Sequence, residues 1–175
     1  MLKISIITAV RNGAETLRGC IESVQKQTIP TEHIIIDGAS TDGTFDIIAQ
    51  YRSSIAKVIS EPDNGIYDAL NKGIKLASGE VIGLLHGDDF YAHDKVLESV
   101  VKVFEEQNVD SCYGDLLYVK ENNIDKVIRY WISFSIRGQI SLLEGLYHNV
   151  HIPAGVRDEI MAGGKRGQPV VIPLL

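Results

Sequence analysis

From Lys3 to Phe104 the chain repeats one rhythm, a short run of β-branched residues followed by apolar residues at helical spacing. That is the sequence form of a parallel sheet with crossover helices. Residues 3–8 (KISIIT) read as the first strand, and Leu17, Cys20, Ile21 and Val24, at i, i+3, i+4 and i+7, give the next segment one buried helical stripe. Residues 33–37 (HIIID) form the second strand. The turn-rich GASTDG then feeds a helix over residues 44–51 that turns Ile47, Ile48 and Tyr51 to the sheet. A third strand is predicted over residues 57–60. A helix follows from Ile66 to Ser78-Gly79, where the glycine is expected to supply a left-handed C-cap. Residues 81–85 (VIGLL) read as a fully buried strand. Asp94 is expected to cap the next helix, whose stripe is Leu97, Val100, Val101 and Phe104.

Beyond these four βα units, SCYGD, LLYVK and KVIRYW read as shorter strands with a turn at Asn122-Asn123, a small antiparallel edge to the sheet. From about Ser133 the alternation is lost and the tail, AGGKRGQPVVIPLL, is expected to be irregular. The expected division is an α/β domain over 1–132 and an incomplete or divergent segment over 133–175.

Composition narrows the choice of function. A chain of 175 residues builds one core without staples, and 45% apolar with 23% charged residues is ordinary for a globular protein. A formal charge of -6 argues against nucleic acid as partner, since such surfaces neutralise phosphates with Lys and Arg. Cys20 and Cys112 stand in no metal-ligand or redox spacing and read as buried structural thiols. The N-terminal apolar run is too short for a signal peptide, and no stretch nears the ~20 apolar residues of a membrane span, so a cytoplasmic location is expected. Residues 129–137 mix Tyr130, Trp131 and Phe134 with basic ends, a composition shared by packed cores and by peripheral segments at the inner face of a membrane.

In an open parallel sheet, ligands bind beyond the carboxyl ends of the strands. Those loops carry Arg11 and Asn12; Asp37, Ser40 and Asp42; Asp63 and Asn64; and His86, Asp88 and Asp89. LLHGDD is the strongest feature, because two adjacent carboxylates at the end of a buried strand repel one another unless a hard divalent cation compensates them. The competing reading is an Asp-rich turn before a helix. Asp37 occupies the place of a ribose-binding acid in dinucleotide domains, or is simply a turn former. A dehydrogenase is disfavoured because TAVRNGAET has a single glycine where a G-x-G-x-x-G turn is needed. The same loop lacks the glycine-rich triphosphate cradle of a nucleotidyltransferase. PDNGIY is a turn opening a helix, Asn71 and Lys72 lie inside that helix, and Lys72 is either a solvated residue or one that reaches a diphosphate.

Taken in order, KISIITAVRN, QT, IIIDGASTDGT, SEPDNGIYDALNKGI, ASGEVIGLLHGDD and YGD resemble the signature blocks of family 2 glycosyltransferases. The resemblance implies a GT-A fold, a Rossmann-like, mostly parallel sheet, and an inverting transfer of sugar from a nucleotide diphosphate, UDP first among candidates, to a hydroxyl of a saccharide or lipid-linked acceptor. It implies donor contacts by Thr8, Ala9, Arg11, Asn12, Asp37, Asn64, Lys72, His86, Gly87 and Asp88. Mn²⁺ or Mg²⁺ would be held by Asp89 and Asp88, with His86 standing where the fuller motif carries Asp. Surface polysaccharide or glycoconjugate synthesis is the usual setting.

The blocks cover about residues 1–118, and from about Gly138 the chain does not match the family's acceptor-side blocks. The family's general base is an acidic residue in a later segment, and the acidic pair there is Asp158-Glu159, so Asp158 is the candidate base beside the reading of RDEI as solvated surface. A chain cut short, or a tail read in a shifted frame, is the expectation this break raises. Its functional counterpart is a domain that binds nucleotide sugar without transferring it.

Overall fold

The computed structural model describes residues 2–107, 109, 111–120, 123–136 and 171–172; Asp158 and Glu159 lie outside the described residues. The strands are β1 (Ile4–Val10), β2 (Thr31–Asp37), β3 (Lys57–Ser60), β4 (Val81–Leu84), β5 (Ser111–Lys120), β6 (Asn123–Ile136) and β7 (Val171–Ile172). The helices are α1 (Leu17–Gln25), α2 (Thr44–Gln50), α3 (Ile66–Leu76) and α4 (Val96–Gln107), with a 3₁₀ turn at Arg52–Ser54.

Among the described residues, these strands form one sheet in the order β3-β2-β1-β4-β6-β5-β7. β1 lies parallel to both β2 and β4, and β2 parallel to β3, so the first four strands are the predicted parallel unit. β6 runs antiparallel to β4 and β5, and β7 parallel to β5. The antiparallel edge is thus present, but SCYGD and LLYVK form one strand, and β6 continues to Ile136.

Period-two alternation along β1 and β2 sorts the core into two layers. Ile4, Ile6, Val10 and Ile35 pack with Leu17, Cys20, Ile21 and Val24 of α1, Ile48 of α2 and Leu97, Val100, Val101 and Phe104 of α4. On the opposite face, Ile7, Ala9, Ile34, Ile36 and Ile82 meet Ala69, Leu70 and Ile74 of α3. Each fully buried Ile or Leu contributes about 1.5–3 kcal/mol, so the four helices are held chiefly by these stripes. Cys20 and Cys112 are free and buried, as expected, and burial raises both thiols to about 12.

Two predicted helix boundaries are corrected. α3 ends at Leu76, with Ala77 already extended at φ -61 and ψ 140, and Gly79 does not take a left-handed conformation. Gly79 is instead needed for close approach, because a Cβ there would stand 2.6 Å from the Ser5 amide nitrogen. At the start of α4 the Leu97 N–H, a first-turn donor, is taken at 3.0 Å by Gln27 Oε1, while Asp94 gives its backbone carbonyl to the Thr28 amide. Among the described residues no helix is long and apolar enough to cross a membrane.

Candidate active site

The parallel strands deliver four loops to one end of the sheet, and the first two are joined to each other. The Asn12 amide donates to Ser40 Oγ at 2.8 Å, and Asn12 Oδ1 accepts from the Thr41 amide at 2.9 Å. Asp42 accepts from the amides of Ala14 and Thr44, each at 3.0 Å, and these donors with the Thr44 hydroxyl hold its carboxyl below the usual range. Gly13 N–H meets Thr44 Oγ1 at 2.9 Å. Ser40 and Asp42 therefore build loop structure, while Arg11 and Asn12 remain exposed at the surface of the cleft.

Asp37 lies beneath this roof, fully buried. Its Oδ2 accepts from the Ser60 hydroxyl at 2.6 Å, and its Oδ1 from the Ser40 hydroxyl and amide. In this form it ties the ends of β2 and β3 to the loop after β2, and no part of it is open to a ligand. Thr8 is further from its expected role. Alternation turns its side chain toward α1, where Oγ1 lies 3.0 Å from His33 Nε2 and 3.7 Å from Cys20 Sγ, in a fully buried position. Thr8 is a core residue in this structure, and its neighbour Ala9 is the one that faces the cleft.

Ala9, Val10 and Arg11 line a cavity of about 180 Å³ with Asp63, Gly65, Ile66 and Ala69. Gly38 closes its side tightly, since a Cβ there would clash with Asp63 Oδ2 and approach Arg11 Cβ to 3.3 Å. Asp63 Oδ1 accepts the Gly65 N–H at 2.9 Å, and Gly65 opens α3 with φ 106, which glycine alone adopts readily. Asn64 is exposed, and its amide donates to Asp68 at 3.1 Å. Lys72 bridges Glu61 at 2.8 Å and Asp68 at 3.3 Å and donates to the Pro62 carbonyl at 3.1 Å. The bond to Glu61, then that to Asp68, raise its ammonium pKa. In this structure Lys72 braces residues 61–68.

The β4 loop completes the site. Leu85 N–H donates to the Ile7 carbonyl at 3.0 Å and Gly87 N–H to the Ala9 carbonyl at 3.3 Å, extending the β1–β4 ladder past the strand. Gly87 must be glycine-sized, because a Cβ would meet Val10 Cγ2 at 2.8 Å. The turn that carries Asp88 and Asp89 therefore packs against Val10, one of the residues that line the cavity. Asp88 is exposed and Asp89 half-buried. Burial, and then the charge of Asp88, push the Asp89 carboxyl above its ordinary value. His86 Nδ1 is buried without a hydrogen-bond partner. Among the described residues no three His, Cys, Asp or Glu side chains cluster as a metal cage.

Several contributors were not singled out from sequence. Ser60, Glu61 and Asp68 act through Asp37 and Lys72. Ser23 and Gln27 brace the far end of the β4 loop, and only the QT pair among the signature blocks pointed there.

A relative named PGL/p-HBAD biosynthesis glycosyltransferase, from Mycobacterium bovis (strain BCG / Pasteur 1173P2), is 32% identical over 123 residues, covering 67% of this chain and 48% of its own. The chain thus spans about half the length of that relative. Among solved structures, a mannosyltransferase from Pyrobaculum calidifontis in complex with GDP-Man and Mn²⁺ superposes with TM-score 0.65 at 18% identity, over 81% of this chain and 46% of that one. S. aureus TarS 1-349 in complex with UDP-GlcNAc gives 0.63 at 17% identity, over 82% and 48%. These neighbours share the GT-A fold seen here. The family model described as glycosyl transferase family 2 matches residues 5–163, beyond the point where the signature blocks stop. On this match, the chain belongs to glycosyl transferase family 2.

Proposed function

We propose that this chain forms the donor side of an inverting glycosyltransferase that moves a sugar from a nucleoside diphosphate to a saccharide or lipid-linked acceptor hydroxyl. The observation that supports the reading is that the turn after β4, which carries Asp88 and Asp89, packs through Gly87 against Val10, one of the residues that line the cavity with Ala9, Arg11 and Asp63. A UDP-sugar is the first candidate donor, in keeping with the nucleotide sugars carried by the structural neighbours.

The residues fit a hard divalent cation. Asp88 and Asp89 are oxygen donors with mutual repulsion and partial burial to relieve, and a site of only two carboxylates suits Mg²⁺ or Mn²⁺, which take remaining ligands from phosphate and water. When bound, such an ion stabilises the negative charge that develops on a departing diphosphate. The chain's own residues do the rest. Asp88 and Asp89 would hold the cation, Ala9 and Arg11 would receive the nucleoside at the cavity, and Asp37 with Ser40 and Ser60 keeps that wall in shape. Asp158 remains the proposed base, taking the acceptor proton from the face opposite the leaving group. Assembly of surface polysaccharide or glycoconjugate, at the inner face of a membrane, is the setting we infer.

The test is thermal stability of wild type and Asp89→Asn with Mn²⁺ and UDP. At nucleotide one hundred times its Kd, binding adds about 2.7 kcal/mol to the folded state, so the wild-type Tm rises by several degrees. Asp89→Asn loses that rise, while its ligand-free form melts at or above the wild type because a like-charge pair is relieved. An undiminished rise in the variant removes the aspartates from the site. Release of free UDP only when acceptor is present separates transfer from binding alone.

A further inference from the structure

The end of α1 and the residues just after it carry a polar stripe that the helix's apolar face does not explain. Ser23 and Gln27 lie one turn apart and each is only 8% exposed. Buried hydroxyls and amides persist when their hydrogen bonds are made. Ser23 Oγ donates to the Cys20 carbonyl at 2.8 Å and accepts the Tyr91 N–H at 3.1 Å. Gln27 Nε2 donates to the carbonyls of Ser23 at 3.1 Å and His93 at 2.8 Å, and Oε1 accepts the Leu97 N–H at 3.0 Å. The Thr28 amide donates to the Asp94 carbonyl at 2.8 Å and its hydroxyl to Glu98 at 3.1 Å.

These bonds run from residues 23–28 to residues 91–98, the descending half of the loop that carries Asp88 and Asp89. The ascending half is fixed to β1 through Leu85 and Gly87. The two carboxylates therefore stand on a span anchored at one end by a β strand and at the other by the end of α1 and the residues that follow it. Gln27 is central to the second anchor because its position demands a donor for two carbonyls and an acceptor for one N–H. A primary amide of that length offers both, whereas Glu would face two carbonyls with a carboxylate and Met would leave all three groups unpaired.

We propose that Gln27 is a positioning residue of the donor site: it touches no reacting group and sets where Asp88 and Asp89 stand by fixing the return of their loop into α4. The proposal rests on Asp88 and Asp89 being the cation site.

The experiment compares the full chain with Gln27→Met, the milder Ser23→Ala, and Val24→Ala, a core variant in α1 outside the stripe. Amide hydrogen exchange and Mn²⁺-dependent binding of UDP and GDP by calorimetry are read for each. Gln27→Met is expected to speed exchange across residues 88–98 selectively and to weaken Mn²⁺-dependent nucleotide binding about tenfold, the loss of one buried hydrogen-bond set. Ser23→Ala moves both readouts the same way by less, and it decides the matter if Gln27→Met does not fold. Val24→Ala lowers Tm and speeds exchange evenly over the fold without singling out residues 88–98, and it leaves nucleotide binding unchanged. Uniform acceleration of exchange over the whole fold, or wild-type affinity in a folded Gln27→Met, overturns the positioning role alone. Absence of Mn²⁺-dependent binding of either nucleotide by the wild type overturns the cation site itself, and with it the part of Gln27 in donor binding.

Discussion

Two residues without glycine's freedom hold left-handed backbone in the loops that roof the cleft, Asn12 at φ 52 and Ala39 at φ 55. Asn tolerates that region and here gains the Thr41 amide as a partner, but Ala has no side chain to compensate. Asn12→Ala should therefore lower stability by about 1–2 kcal/mol, through added strain and a lost bond. Ala39→Gly should be neutral or stabilising by up to about 1 kcal/mol, because relief of about 1–2 kcal/mol of strain outweighs the extra unfolded-state freedom of glycine. Urea unfolding midpoints check both, and a clear loss in Ala39→Gly would show that the backbone there is unstrained. The same scale shows what sequence reading reaches. Residue type marked the loop carboxylates, Arg11 and Asn12, since acids and amides at strand ends have few roles. It did not mark direction. Thr8 turns inward by the alternation of β1, Asp37 is covered by hydroxyls from β3 and from the loop after β2, and Lys72 is captured by Glu61, eleven residues back along the chain, and by Asp68, one turn away. Each outcome depends on which neighbours the fold supplies.

At the level of elements, apolar period alone located β1 to β4 and α1 to α4, because each buries one stripe on one sheet. What it missed were ends and contacts between elements. Gly79 reads as a helix cap and is a close-approach residue, and the donor at the start of α4 is satisfied by Gln27, just after α1, a partner that sequence adjacency cannot show. Gly73 makes the point testable. It lies inside α3, where replacement by Ala gains about 1 kcal/mol of helix propensity. A Cβ at that position would clash with Ile7 Cγ2 of β1 and touch Ile36 Cγ1 at 3.4 Å, and both isoleucines are fully buried. Overpacking of this kind costs about 1–3 kcal/mol, so Gly73→Ala should destabilise by up to about 2 kcal/mol against its propensity. Chemical denaturation decides the sign, and a stabilised variant would mean that α3 is free to lift from the sheet.

The molecule as a whole is fastened differently at the two ends of its sheet. Loops roof the ligand end, whereas a polar knot around Glu32 closes the other: Glu32 accepts from the hydroxyl of Ser5 and from the amide and hydroxyl of Ser78, and pairs with Lys57 at 3.5 Å. One knot thus joins β1, β2, β3 and the end of α3. Burial alone would raise the Glu32 carboxyl, but the bonds from Ser5 and Ser78 and the charge of Lys57 hold it at about 2. Next along the chain, burial drives His33 down to about 4. Both shifts make acid destabilising, in successive windows. Between pH 6.5 and 4 the unfolded chain takes up a proton at His33 that the folded chain refuses, which removes up to about 3 kcal/mol as pH falls. Below pH 4.5 the unfolded chain protonates Glu32 while the folded chain does not until about pH 2, so stability keeps falling. Asp89, raised by burial and by Asp88, works weakly in the opposite sense. His33→Gln deletes the first window and leaves the second. Its Tm should be nearly level from pH 7 to 4.5 while that of the wild type declines, and parallel declines would show that His33 takes up its proton inside the fold as readily as outside it.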